Sequence, residues 1–179
     1  VYGSTLNQPD TYWMSRPGAF NNFDTSIPTV DNDSISGTPW SQQVNGIQAM
    51  INMPGGLVVL TGLGAWQVSG GSQSAAITPA NQTATPQAYN GCHQNLQPIA
   101  INYDILYIQQ KGSIVRDLAY NFFVNIYTGT DMTLISNHLF ANRRLVSWGW
   151  AEEPFKIVWC IRDDGVMLSF TFLKEQEIY

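Results

Sequence analysis

The sequence predicts an all-β chain, an antiparallel β-sandwich of jelly-roll type. Three observations carry this. From Val44 onward the chain reads as short apolar runs separated by Gly and Pro turns. The C-terminal segment alternates large apolar with smaller or polar residues on both sides of an Asp-Gly pair. No heptad, internal repeat or capped helical stretch interrupts the pattern. Several short strands with Gly/Pro turns and no helical period indicate a sandwich or barrel.

Taken in chain order, residues 1–43 are rich in Asn, Asp, Ser, Thr and Pro, as in "NQPD", "SRPG" and "VDNDSISGTP". Such stretches are turn formers. Only "TYWM" reads as a strand there, so this segment is expected to wrap the outside of the domain. "VNGIQAMI", "GLVVLTG" and "AWQVS" read as strands joined by Pro-Gly-Gly and Gly turns. Residues 69–98 hold few large apolar residues, and they are expected to form a long loop excursion. "PIAINYDILYIQQ" reads as one long strand. In "DLAYNFFVNIYTG" the residues Leu118, Tyr120, Phe122, Val124 and Ile126 would share one face of a strand, which the β-branched and aromatic content favours; a helix is the alternative, since Leu118, Phe122 and Ile126 also fall four apart. At the C-terminus Asp164-Gly165 suits a two-residue hairpin turn. Pairing outward from it sets Ile161 opposite Leu168, Trp159 opposite Phe170 and Ile157 opposite Phe172, all on one buried face.

The 179 residues fit one domain large enough to bury a core of its own. Charged residues are 12%, about half the usual share. The polar surface therefore comes from amides and hydroxyls, which suit hydrogen bonding to sugars. The net charge is −5, and before Lys111 the only basic residue is Arg16. A chain so poor in clustered cations is not expected to bind nucleic acid or anionic membranes. No apolar run is long enough to span a bilayer, so membrane insertion is not expected. The first residue is Val1, with no charged start followed by an apolar run, so the sequence reads as a piece of a longer polypeptide.

Chemistry-bearing motifs are sparse. Cys92 and Cys160 could pair or remain thiols. His93 and His138 are the only histidines, and no Cys/His cluster has metal-ligand spacing, so neither a metal nor another cofactor is expected. Glu152 and Glu153 are adjacent and would point to opposite faces of a strand, which excludes facing glycosidase carboxylates. No nucleophile elbow or phosphate loop occurs, and no enzymatic activity is expected. Asn32 and Asn81 head N-x-[ST] sequons. The stretch "RRLVSWGWAEE" is the candidate ligand site: Arg143, Arg144, Trp148 and Trp150. Regular alternation would place Arg144, Val146, Trp148 and Trp150 on one face, with Gly149 leaving room between the rings. A saccharide could stack on an indole while an arginine bonds its hydroxyls or carboxylate. The competing expectation is that the indoles fill the core or a subunit interface and the arginines pair with Glu152, Glu153 or Asp131; the reading adopted is split, with one ring structural and the end of the strand forming the rim.

The closing segment "GVMLSFTFLKEQEIY" resembles the last strand of viral attachment-fibre heads, particularly adenovirus-type ones, and is similar to the last strands of tumour-necrosis-factor-like jelly rolls. "LNQPDTYWM" resembles the proline-rich lead-in to rotavirus spike heads. No receptor-contacting residue of these families carries over, because no loop motif aligns. The resemblance implies a homotrimeric head on the virion surface that binds a host cell-surface receptor, glycan or protein, without a cofactor. A non-viral lectin or carbohydrate-binding module is the alternative, and a structural capsid protrusion or assembly domain is a third.

Overall fold

The computed structural model describes residues 1–41, 46–72 and 75–173. Residues 44–45 of the first expected strand, 73–74 of the expected excursion and 174–179 of the closing segment lie outside the described residues. The fold is all-β with four antiparallel sheets. The only helix among the described residues is a single turn, α1 (Asn137–Phe140). The chain divides into two compact units, Val1–Gly91 and Cys92–Tyr179.

In the first unit, β1 (Tyr2–Gly3), β2 (Tyr12–Met14) and β3 (Ile35–Gly37) form a three-stranded sheet in chain order. β4 (Ile47–Met53), β5 (Gly56–Thr61), β6 (Ala65–Ser69) and β7 (Thr83–Ala88) form a four-stranded meander. The first segment is thus more than an outer wrapping. Tyr12 of β2 is fully buried against Ile47, Leu57, Val59 and Val68. Gly37 makes room for it: a Cβ there would lie 2.3 Å from the Tyr12 hydroxyl. Gln82 ties the two sheets together, accepting from the Tyr12 hydroxyl at 3.2 Å and donating to the Ser36 carbonyl at 2.8 Å. The loop between β2 and β3 is organised by Asp33. Its carboxylate accepts from the Ser26 and Val30 amides, the Ser26 hydroxyl and Arg16. Arg16, the one basic residue of this half, is therefore an internal tie.

Part of the expected 69–98 excursion is β7, paired with β6. A proline and few apolar residues concealed it. β7 is an edge strand, where Pro86 need not donate to the ladder, and a bulge opposite Ala65 and Trp66 absorbs the irregularity.

In the second unit, β8 (Ile99–Ile101), β9 (Asp104–Ile108), β10 (Val115–Asn121) and β11 (Ile126–Thr128) form a second meander. β12 (Leu145–Ala151), β13 (Ile157–Arg162) and β14 (Met167–Thr171) form a three-stranded sheet. One core joins these two sheets: Leu106, Ile108 and Val115 from one side, Leu145, Val158 and Cys160 from the other, closed by Phe140 and Phe172. Two antiparallel layers over one apolar core give the unit its sandwich character. In every described sheet the strand order follows chain order, so the connectivity is that of meanders. The Greek-key exchange of a jelly roll appears in none of the described sheets.

Two segments expected as single strands are hairpins. "PIAINYDILYIQQ" turns at Asn102-Tyr103, where Asn102 takes a left-handed φ of 55° and Ile101 pairs with Asp104. "DLAYNFFVNIYTG" turns over Phe122–Asn125, with Asn121 paired to Ile126 and Asn125 at φ 54°. Asparagine is the non-glycine residue that most readily enters this region, and its side chain closes the turn. Here the Phe123 amide donates to Asn121 Oδ1, and the Tyr120 hydroxyl donates to Asn125 Oδ1.

The C-terminal hairpin forms where expected, but one residue out of the expected register. Its loop has three residues, Asp163-Asp164-Gly165. The Gly165 amide donates to the Arg162 carbonyl, and Gly165 sits at φ 81°. This is the turn-plus-bulge loop, which adds one residue to the two-residue form. Val158 therefore pairs with Phe170, Cys160 with Leu168 and Ile161 with Met167. The inward set of β14 is as expected. On β13 the inward residues are Val158 and Cys160, and Trp159 and Ile161 face out.

Candidate functional site

The structure does not gather Arg143, Arg144, Trp148 and Trp150 into one site. A β-bulge at Val146, between Leu145 and Ser147, resets the alternation of β12. Leu145, Trp148 and Trp150 consequently turn to the core side and Val146 is exposed. The Trp148 indole N–H donates to the Gln97 carbonyl at 2.8 Å, and Trp150 meets Phe172 edge to face at 6.4 Å. Both indoles pack against the core. At about 3.3 Å per strand residue, Arg144 lies about 20 Å from Trp150 along the chain, too far to share a monosaccharide. Glu152 and Glu153 lie beyond that far end, exposed.

Arg143 instead serves the hairpin turn. Its Nε lies 3.6 Å from Asp164 Oδ2, and Asp164 also accepts from Arg162 and from the Val166 amide. The Arg162 hydrogen bond, ahead of the other contacts, holds the Asp164 carboxyl down at about 2. Arg162 further donates to the Leu139 carbonyl at 2.6 Å. The arginine thus pairs with an acid, as the competing expectation had it, but with Asp164 and not with Glu152, Glu153 or Asp131. Arg144 is exposed, and its carbonyl accepts from the Asp163 amide.

What the second unit does present is the outer face of the β12–β13–β14 sheet. The register sets out three rows of three across the strands: Ser147–Ile161–Met167, Gly149–Trp159–Ser169 and Ala151–Ile157–Thr171. None of the nine carries a charge. Trp159 and Ile161 are each 40% exposed and Met167 62%. The central Trp159 has small neighbours, Gly149 and Ser169, directly across on either side. A Cβ placed on Gly149 meets nothing within 4 Å, so the strip beside the indole is open. Three hydroxyls, from Ser147, Ser169 and Thr171, rim the apolar centre. With strands about 4.8 Å apart the three strands set the face about 10 Å wide, room for a sugar residue to lie on it. An indole with hydroxyls around it and no charge can stack on the apolar face of a neutral sugar while hydrogen bonding its edge.

This face is not evident from the sequence, because the large apolar residues of β13, Trp159 and Ile161, point outward and not into the core. The available signal was different. Residues Ile157 to Ile161 are uninterruptedly apolar, whereas a strand with one wetted face alternates. A strand apolar on both faces at the surface of a unit has a second face to cover.

A second aromatic feature lies in the first unit. Tyr2, Trp13 and Phe23 line a surface pocket of about 270 Å³, with Tyr2 and Phe23 edge to face at 5.6 Å.

Among the described residues no three His, Cys, Asp or Glu side chains come together as metal ligands. Cys92 and Cys160 are free, buried thiols, both pushed up to about 12 by desolvation. No described helix is long and apolar enough to cross a membrane. No protein-family model and no curated protein sequence matches the chain.

Proposed function

We propose that the chain is a binding head, the receptor-binding part of a viral attachment fibre or spike, acting at the virion surface on a host cell-surface glycan. The observation that carries the binding role is the uncharged outer face centred on Trp159, with Gly149 and Ser169 leaving its indole accessible. Monomeric proteins rarely expose an apolar surface of this kind without a use for it. The viral assignment rests on the resemblance of the closing strand to attachment-fibre heads.

The chemistry of the face narrows the ligand. Of the two arginines that would have met a sialic acid carboxylate, Arg143 is paired at Asp164 and Arg144 is not part of the face, and no cation stands among the nine positions. A neutral saccharide is the better fit. One such site buries little area, so the affinity per site is on the order of millimolar, and multivalent display supplies the working avidity.

Screening a multivalent display of the chain on a glycan array tests this reading. Binding to neutral glycans that is lost in Trp159→Ala supports it. A protein receptor in place of a glycan would appear as cell binding that survives deglycosylation. The reading of the chain as a structural assembly domain is favoured by a different observation, the exposed aromatic tip of the β10–β11 hairpin.

A further inference from the structure

The turn between β10 and β11 carries Phe122, Phe123 and Val124, exposed to 82%, 95% and 55%. The two phenyl rings lie edge to face at 6.4 Å, so they form one apolar knob. The turn is held from within. The Phe123 amide donates to Asn121 Oδ1, and the Tyr120 hydroxyl reaches Asn125. Asn125 takes the left-handed conformation that lets the chain return. A turn of this kind asks for Asn, Gly or Asp and has no local need for two phenylalanines. Their presence at the most exposed point of the hairpin calls for a partner.

The first unit contains a complementary surface. The pocket of Tyr2, Trp13 and Phe23 has three aromatic walls and no charged lining. Its volume of about 270 Å³ falls just below the roughly 300–1,000 Å³ of small-molecule sites and suits one aromatic side chain. Edge-to-face contacts between rings would add to the apolar burial. No charge lies between Asp117 and Asp131 on the knob side, so docking strands no ion.

We propose that the Phe122–Phe123 knob of one copy docks in the Tyr2/Trp13/Phe23 pocket of a second copy. Different surfaces meet in such a contact, so it is head-to-tail. It builds a ring where the rotation closes and a filament where it does not. Two phenylalanines and their surroundings bury roughly 600–800 Å², short of the roughly 1,200 Å² of a stable pairwise interface. A single contact is therefore weak, and closure or tethering makes it persist. The inference is independent of receptor binding at Trp159 and stands or falls separately from it.

Two measurements on the whole chain decide it. In sedimentation velocity across micromolar to submillimolar concentrations, the wild type associates reversibly. Phe122→Ser/Phe123→Ser weakens that association at least tenfold, and so does Trp13→Ala. The serine variant keeps its circular dichroism spectrum, because both side chains are already in solvent. The contact is then trapped with a short bismaleimide, using Phe123→Cys and Tyr2→Cys as separate proteins; the native cysteines are buried. A covalent dimer that forms when the two variants are mixed, and not with either alone, establishes the head-to-tail contact. Dimers from one variant alone, or no association at all, overturn it. A monomeric wild type that floats with phosphatidylcholine vesicles through the same phenylalanines also overturns it, in favour of a lipid surface.

Discussion

Replacing one branch of a β-branched side chain by a hydroxyl at two positions of β13, a methyl of Val158 and the ethyl of Ile161, tests which face of that strand is buried. Val158 and Ile161 are both β-branched, so threonine fits either backbone position without strain. Val158 is wholly buried and contacts the core shared by the two sheets, and Ile161 is 40% exposed on the outer face. Val158→Thr is nearly isosteric and sets a hydroxyl in an apolar core. An unpaired buried hydroxyl costs about 1–3 kcal/mol. Ile161→Thr loses apolar contact only on its covered side and leaves its hydroxyl in water, at a cost of about 0.5–1 kcal/mol. With a urea slope of about 1.5 kcal/mol/M, 2 kcal/mol moves the unfolding midpoint by about 1.3 M, easily separated from the second variant. Urea melts followed by circular dichroism provide the comparison. In the register with a two-residue Asp-Gly turn, Ile161 points inward and Val158 outward. If Ile161→Thr lowers the midpoint more than Val158→Thr, the three-residue loop and the outer face built on it are both refuted.

Two further outcomes follow from the same structure. Burial pushes Cys92 and Cys160 up to about 12, so at pH 8 only about one thiol in ten thousand is ionised, and the native protein should react with Ellman's reagent only as fast as it opens. Prompt labelling of either cysteine in the folded state contradicts their burial. In acid, Asp164 should contribute a stability term with a defined sign. Its folded value of about 2 lies below the roughly 3.9 of an unfolded aspartate, so the contribution is complete above about pH 5 and is lost as pH falls through 4 towards 2. Asp33 acts in the same direction, held low chiefly by the Val30 amide against its own desolvation. The Tm of Asp164→Asn should therefore be below wild type at pH 6 and converge on it by pH 2. A gap that stays constant over that range would remove the ionised Asp164 from the account.

Most of the fold was legible where a single local rule governs. The Gly and Pro turns delimit β4, β5 and β6, and alternation in "VMLSFTF" gives the inward set Leu168, Phe170 and Phe172. Legibility failed where one residue changes the count. An extra residue in the 163–165 loop moved β13 by one position, and the bulge at Val146 did the same to β12. Because side chains alternate with period two, each single-residue error exchanged the faces. The first hid Trp159 from view and the second made Trp148 and Trp150 look available. The apolar hairpin tip was hidden for a related reason: Phe122 and Val124 continued the alternation of β10 through a turn that only Asn121 and Asn125 mark.

The central claim is that the open strip beside Trp159 is the binding surface, and Gly149→Thr tests it most directly. The substitution adds a β-branched side chain to an exposed strand, directly across from Trp159, where a new Cβ meets nothing within 4 Å. Threonine favours a strand more than glycine does, so Tm should hold or rise slightly. The added side chain should cover the indole, and avidity for neutral glycans on the array should fall at least tenfold, matching Trp159→Ala. Glycan binding that persists unchanged in the folded Gly149→Thr protein would contradict the account and place the ligand elsewhere on the chain.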